Sequence, residues 1–121
     1  MDGRPMYAKL DGHTVVVCAN LAEWMPWALE HIENSDGKSR TVAFNEFDNE
    51  RVLVSTVFVG MNHGVISGPM WFETRVLCED SNDALHGRGS RAATWEDAER
   101  CHAQAVADVE EELLRRKGER S

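Results

Sequence analysis

The chain has 121 residues, 42% of them hydrophobic and 28% charged, with a net charge of −8. This length suits one domain whose core needs no disulfide or metal staple, and the acidic balance argues against a nucleic-acid partner, which calls for a clustered basic face. No apolar run approaches the roughly 20 residues of a membrane span, and the first residues lack the apolar stretch of a signal peptide, so a cytoplasmic protein without membrane contact is expected.

Residues 1–11 hold glycine, proline and aspartate and read as irregular chain or a short edge strand. Residues 13–19 (HTVVVCA) predict a strand bounded by Gly12 and Asn20. Asn20 followed by Glu23 is a helix-capping arrangement. Leu21, Trp24, Ala28 and Ile32 then recur at helical spacing, which predicts a helix over 21–33, with Pro26 making its start irregular. The NSDGKS stretch at 34–39 is a loop by composition.

Three β-rich runs follow: Thr41–Phe47, 51–60 and 71–78. Their valine, phenylalanine and threonine suit a pleated, half-buried surface, and no helical pattern between them calls for a parallel crossover. Residues 48–50 form a tight turn. The tip between the second and third runs, residues 61–69, carries Gly64, Gly68, Pro69 and one histidine, His63. Residues 79–91 are polar, with two glycines, and read as a mobile loop. Thr94 then caps a helix over 94–117: Glu96 and Asp97 load its first turn, and Arg115, Arg116 and Lys117 its last. Its apolar stripe is Ala98, Cys101, Ala105, Val109 and Leu113, widened by Val106. Residues 118–121 read as a disordered tail.

The fold class expected is α+β: one domain over 1–121, an antiparallel sheet of three to five strands with helices packed on one face, and a long C-terminal helix. Placing Phe47 near Arg51 sets Glu46, Phe44 and Val42 opposite Val52, Val54 and Thr56. Placing Val59 near Trp71 puts Val52, Val54, Thr56 and Phe58 on one face with Phe72, Thr74, Val76 and Cys78. The reverse face then mixes apolar and charged groups, and Phe47, Val57, Trp71, Glu73 and Arg75 form a candidate contact surface. The N-terminal segment or the 79–93 loop is the alternative cover for it.

His63, Glu73 and His102 are the candidate catalytic residues, since two histidines and a carboxylate suffice for a zinc or iron site with an open position. Their spacing follows no adjacent-ligand motif, and no metal or other cofactor is assigned. The plainer readings are a loop-shaping His63, a Glu73 paired with Arg75 of a neighbouring strand or another subunit, and a core His102 bonded to a backbone carbonyl. Cys18, Cys78 and Cys101 have no metal or disulfide spacing and read as reduced core thiols. Trp24 and Trp95 read as core anchors, Trp27 and Trp71 as candidates for an interface.

VSTVFVGMNHG at 54–64, Gly68-Pro69, WFET at 71–74 and ATWEDAERCHAQAV at 93–106 resemble, in the same order, a family of small proteins frequent in bacteriophages and prophages. The family pattern reads VSTVFLGLDH, a Gly/Pro loop, LFETMVF, then STWEEA and a histidine. This chain departs from it at Asn62, where the pattern has aspartate, and at Arg75, where it has methionine. The resemblance implies a phage or prophage accessory protein without implying a reaction. The function expected is therefore protein–protein interaction without catalysis, by homodimerisation, through a host or phage protein, or both. The alternative is a small metal-dependent hydrolase or nuclease built on His63, Glu73 and His102.

Overall fold

The computed structural model describes residues 7–33, 38–48, 51–61 and 70–120. Two antiparallel sheets, a short helix and a long one make an α+β architecture. Strands β1 (Tyr7–Asp11) and β2 (Thr14–Cys18) form a hairpin. Helix α1 (Leu21–Ala28) follows, then β3 (Thr41–Phe47), β4 (Val52–Phe58), β5 (Phe72–Cys78) and β6 (Gly89–Ala92), which pair in that order in a four-stranded sheet. Helix α2 (Trp95–Arg120) closes the chain.

Local chemistry accounts for these boundaries. The Asn20 side chain accepts from the Glu23 N–H at 3.0 Å while the Glu23 carboxylate accepts from the Ala19 N–H at 2.7 Å, a reciprocal cap that fixes the start of α1. Pro26 lies inside α1, and the irregularity comes after it: Leu29–Glu33 continues as a π-turn. The cap therefore makes the first turn regular, where the sequence predicted a disturbed one. At α2, Thr94 Oγ1 accepts from the Asp97 N–H at 3.2 Å, as its position predicts.

The small hairpin is joined to the end of β4. Ala8 N–H donates to Gly60 O at 2.9 Å, and Tyr7 bridges Met61. Gly60 has φ +75°, and a Cβ there would lie 2.8 Å from the Ala8 carbonyl oxygen, so only glycine permits this approach.

Alternation along β4 and β5 is strict. Val52, Val54, Thr56 and Phe58 are buried and pair with Cys78, Val76, Thr74 and Phe72 on the face that α2 covers. An aromatic cluster fills one end: Trp24, Trp27, Phe58, Trp71, Phe72 and Trp95. Phe58 meets Trp27 and Phe72 edge to face, and Phe72 meets Trp95 likewise, which is the favoured geometry for such rings. Val52, Val54, Val76, Leu85 and Val109 form an aliphatic cluster at the other end.

Three expectations are corrected here. Phe47 pairs with Val52, not near Arg51, so Phe47, Asn45 and Ala43 share the helix-facing side with Val52, Val54 and Thr56. Phe47 packs on the aliphatic cluster and Phe44 is turned outward. Trp27 and Trp71 are core residues, 8% and 3% exposed, because α1 and the β1–β2 hairpin close over that end of the sheet. The 79–91 stretch is a series of hydrogen-bonded turns leading into β6, a fourth strand, and Leu85 within it is fully buried. Arg116 grips Asp83 of this stretch with two hydrogen bonds, at 2.8 and 2.9 Å, and also meets Glu112. The Arg116 bonds and a backbone N–H from Leu85 hold the Asp83 carboxyl at about 2, below the usual carboxylate range.

Candidate functional site

Between the two apolar clusters runs a polar row, buried at Thr74, Thr56 and His102 and ending at the exposed Asn45. Thr74 Oγ1 and Thr56 Oγ1 are 2.7 Å apart, Thr56 Oγ1 is 2.8 Å from His102 Nδ1, and His102 Nε2 is 2.7 Å from Asn45 Oδ1. An amide oxygen only accepts, so Nε2 carries the proton and donates to Asn45. Nδ1 then accepts from the Thr56 hydroxyl, which in turn accepts from Thr74. Burial lowers the His102 pKa, which favours this neutral form. The row fixes α2 across β3, β4 and β5, with side-chain partners where the sequence suggested a backbone carbonyl. With both ring nitrogens engaged, His102 has no lone pair free for a metal or a substrate proton.

This arrangement predicts a pH response. The folded-state pKa of His102 lies below the ordinary 6.5, so the unfolded chain binds the extra proton first. Stability contributed by the neutral ring is complete above pH 7 and declines as pH falls below about 6.5. The thermal midpoint is expected to fall between pH 7 and pH 5 more steeply in the wild type than in His102→Gln. Parallel slopes in the two proteins would place the titration elsewhere.

The opposite face of the sheet is built differently. Leu53 pairs with Leu77, Ser55 with Arg75, and Val57 with Glu73. On one flank Glu46 lies beside Leu53 and Phe44 beside Ser55, and on the other Arg91 lies beside Glu73. Phe44 is 50% exposed and Leu77 39%, and neither helix lies over this face among the described residues. Glu73 and Arg75 form an ion pair along one strand, β5, where the expected pair joined neighbouring strands or subunits. Apolar and charged groups thus interleave on this face: Ser55 and Arg75 lie between the Leu53–Leu77 and Val57–Glu73 pairs, with Glu46 and Phe44 on one flank and Arg91 on the other.

Of the contact residues read from the sequence, Val57, Glu73 and Arg75 lie on this face, whereas Phe47 and Trp71 do not. Phe44 and Leu77 supply the apolar area instead. Counting one more residue in the β3–β4 turn would have found Phe44. Of the candidate catalytic residues, Glu73 and His102 do not meet. Glu73 and His102 are on opposite faces of the sheet, because Glu73 alternates with Thr74, which points to His102. His63 and Asn62 lie outside the described residues, and among those residues no group of three or more His, Cys, Asp or Glu side chains is placed to hold a metal. Cys18, Cys78 and Cys101 are free thiols, and burial pushes those of Cys18 and Cys78 up. No helix is long and apolar enough to cross a membrane among the described residues.

Comparison of the chain with protein-family models, with curated proteins and with solved structures returned no match.

Proposed function

We propose that the chain is an accessory protein of the phage or prophage type that acts in the cytoplasm by protein–protein contact, without catalysis, and pairs with a second copy through the outer face of its sheet. The observation that carries this reading is the outer face itself: Phe44, Leu53, Val57 and Leu77 share it with Ser55, Glu73 and Arg75, and two of the four apolar residues are exposed. Adjacent apolar and charged groups of this kind suit a protein–protein contact. Charge favours a second copy. Two molecules carrying −8 each repel, but this face balances two acids with two arginines, so it is a place where copies meet without that penalty. Two stacked sheets bury such faces in a sandwich about 10 Å thick. The ordered likeness to phage proteins supplies the biological context.

Sedimentation equilibrium tests the pairing. The wild type is expected to be dimeric, and Phe44→Asp or Leu77→Asp monomeric with an unchanged circular dichroism spectrum. Loss of one such anchor weakens association by about 2 kcal/mol or more, roughly thirtyfold in Kd. A wild type that stays monomeric at high concentration excludes the second copy and leaves a host or phage protein as the partner of the face.

A further inference from the structure

The sheet has a second feature, at the β6 edge. Gly87 has φ +84°; its N–H donates to Val76 O at 2.8 Å, and the Val76 N–H donates to Arg88 O at the same distance. Two residues facing one, with a left-handed glycine first, is a β-bulge of the type that opens a strand from a tight turn. The bulge sets the phase of the ladder. Ser90 and Ala92, opposite Thr74 and Phe72, direct their backbone groups toward β5, so those of Gly89 and Arg91 point away from it. Among the described residues no strand lies beyond β6. The outward N–H and C=O groups are a template for another strand.

Beside this edge, on the helix side, a cleft of about 650 Å³ separates β6 and its bulge from α2. Half-buried Cys101 and Ala105 give it accessible apolar surface, with the buried Val76, Leu85 and Val109 beneath. The arginines flank the edge on its two sides: Arg88 lines the cleft, and Arg91 shares the outer face with Glu73. Both are exposed, and neither makes an ion pair among the described residues. Asp108, the one acid in the cleft wall, is engaged by Gln104 Nε2 at 2.9 Å.

We propose that β6 and the cleft beside α2 take an extended acidic segment of a partner protein as an added edge strand, with an apolar side chain lodged in the cleft. Strand addition draws affinity from backbone hydrogen bonds and selectivity from alternate side-chain pockets. On an added strand, side chains alternate between the cleft and the outer face. An acid on one side meets Arg88 and an acid on the other meets Arg91. An apolar residue between α2 and β6 covers the lining of the cleft. The occupant differs from a second copy packed on the outer face, which leaves the edge open.

The test is selection of a random ten-residue peptide display library on the intact protein, followed by amide hydrogen exchange with the best synthetic peptide. Enriched peptides are expected to carry acidic residues around a bulky apolar one and to slow exchange at the Gly89 and Arg91 amides. Charge reversal at both sites (Arg88→Glu, Arg91→Glu) is expected to weaken binding about tenfold or more. The neutral pair Arg88→Gln and Arg91→Gln gives a smaller loss and replaces it if the reversal disturbs folding. The proposal is overturned by any of four results: no enrichment, enriched peptides without acids, binding indifferent to both double variants, or binding that leaves the two amides exchanging freely. Slow exchange of those amides in the protein alone, growing with concentration, would overturn it by placing a second copy at the edge.

Discussion

Val54→Asp is expected to unfold the protein under conditions where Ser55→Asp leaves it folded. Val54 is fully buried in the aliphatic cluster under α2. An aspartate there is an unpaired buried charge, which costs several kcal/mol even when the group escapes by taking up a proton. Small domains hold only about 5–15 kcal/mol in total, so one such change consumes much of it. Ser55 points to the outer face, half-buried, opposite Arg75. A carboxylate beside that guanidinium should alter stability by less than about 1 kcal/mol. Urea titration of the two variants measures the difference, and equal losses would mean that β4 presents its faces the other way round.

Trp71→Ala is expected to cost about 3–5 kcal/mol and to lower the thermal midpoint by something on the order of 15 °C. Trp71 is 3% exposed and belongs to the aromatic cluster, and its carbonyl accepts from Val59 N–H at 2.7 Å where β4 ends. Its indole belongs to a cluster built from the hairpin, α1 and the sheet, and alanine would leave a cavity there. Calorimetry beside light scattering separates two roles for this residue. A stable variant that has only lost self-association would put Trp71 on the surface; a destabilised one keeps it in the core.

The parts of the fold that could be read from the sequence are those where two local signals agree. In α2 the Thr94 cap, the acidic first turn and the apolar stripe all indicate the same helix. In β4 and β5 the alternation of apolar and polar residues sets the register, and the pairs Val57–Glu73 and Ser55–Arg75 follow from it. Register in β3 hinged on a turn of unremarkable sequence. Residues 48–51 separate Phe47 from Val52, with Asp48 at φ 54°, and miscounting by one exchanged Phe44 for Phe47. Strand β6 has the sequence GSRA, without β-branched or aromatic residues, so propensity gives it no support; the Gly87 bulge and its place beside β5 create it. Alternation also assigned Trp71 outward, which fails at the mouth of the strand, where distant elements fold over the chain. His102 is visible as a polar residue in an apolar stripe, but its partners Thr56 and Asn45, and Thr74 behind Thr56, lie on three strands and share no sequence motif with it.

The grip of Arg116 on Asp83 reaches further than two ends of an ion pair. It closes a loop of 33 residues that contains the bulge, β6 and most of α2. Closing such a loop lowers the entropy of every state in which the grip survives, so its loss frees more than one side chain. Fraying of the last turns of α2 and loosening of the turns around Leu85 then become one opening event, a shared unit of local unfolding. Acid couples to that event: as pH falls from about 4 toward 2, Asp83 takes up a proton and the latch weakens. The β6 edge therefore owes its persistence to a contact near the end of the chain.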